Sequence, residues 1–192
     1  MPHRPRPRLL ALVPLVVSLA ALPAAAARAQ DVLDAKSAAF VRDKYLADLD
    51  TVHVKVMALA AAIPEDKYSW RPAPGVRSVS EVFMHLASEW FYYAPLSVGG
   101  KPPADFGPPR ETLPKMEKIT GKSEVIGQLE KGWSYAKAQV SSADPAALTG
   151  RYKPWSVSLV EAAFGMTGDQ HEHLGQLVAY ARSVGVKPPW SK

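Results

Sequence analysis

Four histidines lie beyond residue 30 of this 192-residue chain: His53, His85, His171 and His173. They are the natural place to look for chemistry, because the chain has no cysteine. That excludes disulfides, thiolate metal sites and cysteine nucleophiles. On a helix, residues four apart are separated by about 40° and one turn, so Asp169 and His173 face one point. His171 projects about 160° away from His173 and cannot share that site. His85 has Glu89 one turn along in the same way. If the flanks carrying these residues meet, His85, Asp169 and His173 converge at one end of a bundle. Two imidazoles and a carboxylate with open positions form a site suited to Zn, Fe, Mn or Ni. The plain alternative is that each pair is only a charge-assisted i, i+4 contact of a few tenths of a kcal/mol. His53, between Val52 and Val54 with Asp50 three residues before it, reads as an ordinary helix-surface or edge histidine.

Other chemistries lack their signatures. There is no phosphate-cradling glycine loop, no Gly-x-Ser-x-Gly elbow, no dinucleotide fingerprint and no two-His, one-Glu protease helix. The formal charge of +5 suggests an acidic partner until the charges are placed. Arg4, Arg6, Arg8 and Arg28 all precede Gln30 and no acidic residue does, so the remainder carries only about +1. A body so nearly neutral has no basic field for DNA or RNA.

Those arginines belong to an address. Three basic residues in positions 1–8, an apolar run over 9–27 and the small-x-small triplet Ala27-Arg28-Ala29 follow the order of a cleavable secretory signal peptide. Pro14 and Pro23 interrupt the run, which argues against a retained spanning helix. The expectation is a signal peptide over 1–29 and an exported domain over 30–192, periplasmic or secreted, with no stable membrane insertion after cleavage.

The elements that must position the histidines are helices. Residues 34–62 carry apolar side chains (Phe40, Val41, Leu46, Leu49, Val52, Val56, Leu59) at spacings of three and four. Residues 63–77, with three prolines, are a connection. Ser78 with Glu81, and Ser158 with Glu161, are capping boxes that open helices reaching about residues 97 and 184, the latter stopped by Gly185. A further helix fits residues 123–142. Residues 101–121 hold five prolines and read as an extended crossover. No segment shows convincing strand alternation. The result is an all-α fold, a four-helix bundle in which a crossover of about 20 residues allows parallel neighbours.

Three stretches together resemble the DinB-like (DinB/YfiT) superfamily of metalloenzymes. They are Tyr68-Ser69-Trp70-Arg71-Pro72 through His85-Leu86-Ala87, then Asp169-Gln170-His171-Glu172-His173-Leu174-Gly175-Gln176-Leu177, and the tail Ala179-Tyr180-Ala181-Arg182 to Pro188-Pro189-Trp190. The resemblance implies an up-up-down-down bundle. It also implies a divalent metal ion held by one residue of the second helix, matching His85, and two of the fourth, matching Asp169 and His173. The common pattern has His where this chain has Asp169. That departure gives either a more oxygen-rich site or a member that has lost its metal. The resemblance further implies metal-dependent hydrolase or thiol-transferase chemistry on a small-molecule substrate, with Glu89 or Glu172 holding a ligand or accepting a proton. A thiol cofactor is mainly cytosolic, which weighs against transfer in an exported protein.

A second class of reading is a non-catalytic helical module for binding or homodimerisation. It is motivated by the consecutive aromatics Trp90, Phe91, Tyr92 and Tyr93, which cannot all reach one core. The competing expectation packs Phe91 and Tyr92 under the 101–121 crossover. Trp155 and Trp190, each next to proline, are expected to plug the bundle ends rather than to wall a pocket over the metal.

Overall fold

A computed structural model describes residues 32–152 and 155–191; the expected signal peptide lies outside the described residues. Six helices follow one another: α1 Ala35–Ala62, α2 Val79–Phe91, α3 Tyr93–Leu96, α4 Pro109–Met116, α5 Lys122–Ser142 and α6 Leu159–Ser183. The local rules that start and stop them operate as the sequence indicates. Asp34 caps α1 by accepting from the Ser37 N–H at 2.6 Å. Ser78 and Ser158 each close both arms of a capping box. Gly185, at φ +81°, ends α6 as the Val186 N–H reaches back to the Ala181 carbonyl.

Contacts between helices fix their directions. Asp50 meets Lys137 and His53 approaches Glu130, so α1 and α5 are antiparallel. His85 stands by His173 while Glu89 meets Gln170, so α2 and α6 are antiparallel. The ends of α1 and α5 agree, since Lys122 bonds the carbonyls of Ala61 and Ile63 and Arg42 bonds that of Ala143. Tyr68, two residues before Trp70, bonds the Ala60 carbonyl, and Trp70 packs on Tyr180. The C-terminal ends of α1 and α6 therefore share one end of the molecule with the N-terminal ends of α2 and α5. The order is up-down-down-up, which corrects the expected up-up-down-down. The crossover expected over residues 101–121 is present between α2 and α5 and makes that pair parallel.

Two other expectations need correction. The crossover is not wholly extended: α4 forms inside it, with Pro109 in the first turn, where a missing N–H costs nothing. A two-residue hairpin, β1 Arg151–Tyr152 with β2 Val157–Ser158, precedes α6. It is too short to show as alternation. His53, expected at the helix surface or edge, is partly buried: its ring stacks on Trp133 at 4.8 Å and meets the edge of Trp90 at 5.7 Å.

The core gathers Leu49, Val52, Val56 and Leu59 of α1 with Val82, Phe83, Leu86 and Trp90 of α2, Leu129 and Ala136 of α5, and Leu159 and Leu177 of α6. Phe40, assigned to the α1 stripe from spacing, is instead 63% exposed. Phe91 and Tyr92 lie against Phe106 of the crossover, at 6.0 and 5.8 Å between centroids. No helix among the described residues is long and apolar enough to cross a membrane.

α2 and α5 approach tightly at Gly132, where an added Cβ would lie 2.8 Å from the Ala87 carbonyl oxygen. A helix backbone cannot step aside as a side chain does. Gly132→Ala is therefore expected to destabilise the protein by about 1–3 kcal/mol in urea unfolding, although alanine is the better helix former by about 1 kcal/mol.

Candidate metal centre

Antiparallel packing turns two similar couples into one cluster. On α2, His85 precedes Glu89 by one turn; on α6, Asp169 precedes His173 by one turn. Because the helices run oppositely, the two imidazoles meet at one level, with centroids 4.8 Å apart, and the two carboxylates meet at the next. The Glu89 Oε1 atom lies 3.1 Å from His85 Nε2 and 3.9 Å from His173 Nε2. One ligand atom from each of His85, Glu89 and His173 lies within 4.8 Å of the others. Donors about 2.0–2.2 Å from a shared tetrahedral ion would be about 3.4 Å apart, so small side-chain movements suffice.

Of the residues expected from spacing, His85 and His173 are brought together. Asp169 stands beside them, its Oδ1 3.7 Å from His173 Nε2 and its side chain 43% exposed. The carboxylate between the imidazoles is Glu89, 3% exposed, whose signal was the same i, i+4 spacing on the other helix. Glu172 is exposed on α6.

Each member of the cluster is held from behind. Glu117 accepts from His85 Nδ1 at 3.1 Å, and Arg77 Nε donates to the same Glu117 oxygen at 3.0 Å. A carboxylate can only accept here, so His85 carries its proton on Nδ1 and presents Nε2 as a lone pair when neutral. His173 Nδ1 pairs with Gln176 Oε1 at 3.2 Å, and Gln176 Nε2 donates to the Tyr180 hydroxyl at 2.9 Å. That chain fixes the His173 tautomer in the same sense. Gln170 Nε2 donates to the second Glu89 oxygen at 2.5 Å. Partners of this kind orient ligands and raise their basicity. Glu117 lies just past α4, in the proline-rich crossover, where no spacing rule connects it to His85.

The electrostatics follow from burial. Burial pushes the Glu89 carboxyl up, against the pull of His85 and with the help of Asp169, to about 8. Burial pulls the His85 imidazole down, but Glu117 and Glu89 outweigh it and raise it to about 9. Burial also opposes the Glu117 charge, yet His85 and Arg77 hold that carboxyl below its usual range.

The donor set of two imidazole nitrogens and a carboxylate oxygen fits a divalent cation. The DinB superfamily model matches residues 48–177, about two thirds of the chain, from the middle of α1 through most of α6. Comparison with curated proteins gave no match.

Two outcomes are expected. Zinc affinity, measured by competition with a chelator, rises with pH from about 6 to about 9, because protons on His85 and Glu89 compete with the cation below their raised pKa values. Glu117→Ala weakens zinc binding by about 10–100-fold and leaves the helical circular dichroism unchanged; an unaltered affinity would remove Glu117 from the site.

Proposed function

The chain belongs to the DinB superfamily, and from that premise we propose that it is an exported, metal-dependent hydrolase of a small molecule, with its divalent cation held by His85, Glu89 and His173. The observation that carries the reading is the outer hydrogen bonding. Both imidazoles are turned by acceptors on Nδ1 so that Nε2 faces the shared centre, and Glu89 is held by Gln170. Two coincidental charge pairs have no need of such matched support.

A bound divalent cation would supply Lewis acidity, bringing the pKa of a coordinated water toward neutrality. The chain's own residues divide the remaining work. His85, Glu89 and His173 hold, and Glu117, Gln170 and Gln176 orient. Asp169 lies on the more open side next to His173, where its carboxylate would serve as general base. Export rests on the basic, apolar and small-residue order of positions 1–29, and a chain without cysteine suits an oxidising compartment. Water is available there at will, whereas a low-molecular-weight thiol is not, which favours hydrolysis over thiol transfer.

Protein offered Zn, Mn, Fe and Ni together and then dialysed is expected to keep about one ion per chain by elemental analysis. His85→Ala and His173→Ala lose it, and Asp169→Asn keeps most of it. A folded wild-type chain that retains no metal under these conditions defeats the proposal.

A further inference from the structure

The α6 stripe that carries His173 and Asp169 continues toward the start of the helix through Met166, Gly165 and Ala162. Across from it, the chain beyond Glu89 continues through Tyr93 to Ser97. Between them is a cavity of about 250 Å³. Its outer wall is Trp155, whose indole stacks on the Tyr93 ring at 6.0 Å. We propose that this cavity is a substrate subsite. It receives the compact apolar part, an aryl ring or short branched alkyl group, of a small molecule whose polar head reaches the His85, Glu89 and His173 centre. The inference rests on the metal-centre reading above and adds the class of substrate.

Proximity is the first argument. Met166 and Gly165 are about one turn, roughly 5 Å, from Asp169, and Tyr93 is four residues past Glu89. Burial raises the Tyr93 phenol's pKa, with further contributions from Tyr92, Glu89 and Asp169, which puts that ring in the electrostatic reach of the centre. The second argument is the lining. Ser97 Oγ is committed to the Tyr45 hydroxyl and the Ala94 carbonyl. Glu161 is committed to the Ser158 cap and Arg151. With its polar groups occupied, the wall selects by shape and apolar contact.

The third argument is that the space is kept open at a cost. A Cβ on Gly165 would meet nothing within 4 Å, so no neighbour forbids a larger residue, yet glycine inside a helix is a poor choice. Trp155 is 45% exposed, and Ser156 beside it has φ +54°, a backbone state that non-glycine residues adopt at a penalty. Arg151 bonds the Ser156 carbonyl at 2.7 Å and pairs with Glu161, which pins the hairpin to α6. Trp155, expected to plug a bundle end, lies where α2 ends and α6 begins and walls the cavity there. The volume is below the roughly 300–1,000 Å³ of pockets for drug-sized ligands, so it holds about one ring rather than an extended chain.

The test compares two probes with one head group, acetohydroxamate and phenylacetohydroxamate, titrated calorimetrically into the zinc-loaded protein. The phenyl group is expected to tighten binding about tenfold or more. Gly165→Leu, which fills the cavity and favours helix, abolishes that advantage and leaves acetohydroxamate binding unchanged; Trp155→Ala reduces it. Equal affinities in the wild type, or an advantage that survives Gly165→Leu, overturns the subsite. Zinc content and acetohydroxamate affinity report on the centre separately. If zinc is not taken up, the metal reading fails, and benzyl alcohol titrated into wild type and Gly165→Leu still decides whether the cavity takes an aryl group.

Discussion

A carboxylate with 3% of its surface exposed sits inside the helical core, and the architecture around it is arranged to tolerate Glu89. An ionised group placed there without partners would cost several kcal/mol. Three side chains answer it, two imidazoles on one oxygen and the Gln170 amide on the other. Even so, burial leaves its proton affinity high. A group in that state is satisfied by a proton or by a cation. On the proposed reading, a cation that displaces that proton gains two imidazole nitrogens besides the carboxylate oxygen.

The antiparallel meeting of α2 and α6 is what makes the cluster. Each helix alone carries only a histidine and a carboxylate one turn apart, an ordinary surface arrangement. Reversal of one against the other aligns imidazole with imidazole and carboxylate with carboxylate. The same topology requires the long return between α2 and α5, because those two helices run in parallel. The return is used: α4 forms within it, Phe106 covers Phe91 and Tyr92, and Glu117 is delivered to the back of His85. Arg77, at the end of the α1–α2 connection, completes the relay. Two segments that spacing identifies only as linkers therefore decide which nitrogen of His85 faces the centre.

What was legible in the sequence follows from range. Helix starts at Ser78 and Ser158 and the stop at Gly185 were readable, since caps depend on neighbours within a few residues. The pairing of His85 with His173 was expected from flanks of apolar stripes together with a family resemblance. Glu89 was visible as a turn-mate of His85, but angular arguments on isolated helices cannot rank it against Asp169. Burial ranks them, and burial depends on the partner helix. Glu117 and the His53–Trp133 stack were illegible, for the first joins residues 32 positions apart through a proline-rich segment and the second joins two helices across the core. Chain direction failed for a different reason. The crossover over residues 101–121 points to the parallel pair α2 and α5, whereas the up-up-down-down order came from the resemblance alone.

Asp169 stands where the resembling family commonly has histidine, and charge counting bears on what that exchange does. On the proposed reading, two neutral imidazoles and the Glu89 carboxylate leave a divalent cation with one uncompensated positive charge in a low-dielectric surround. A third imidazole would not change that balance. Asp169, 3.7 Å from His173 Nε2 and partly open to solvent, brings the second negative charge and makes the centre neutral overall. Neutrality lowers the cost of keeping the ion out of bulk water and shifts preference toward harder, oxygen-seeking metals. On the same reading the Asp169 carboxylate lies on the more exposed side of the centre, one turn of α6 from the apolar cavity walled by Tyr93 and Trp155. On that reading Asp169 changes the chemistry of the centre, and Glu117 and Gln176 still support its two imidazoles from behind.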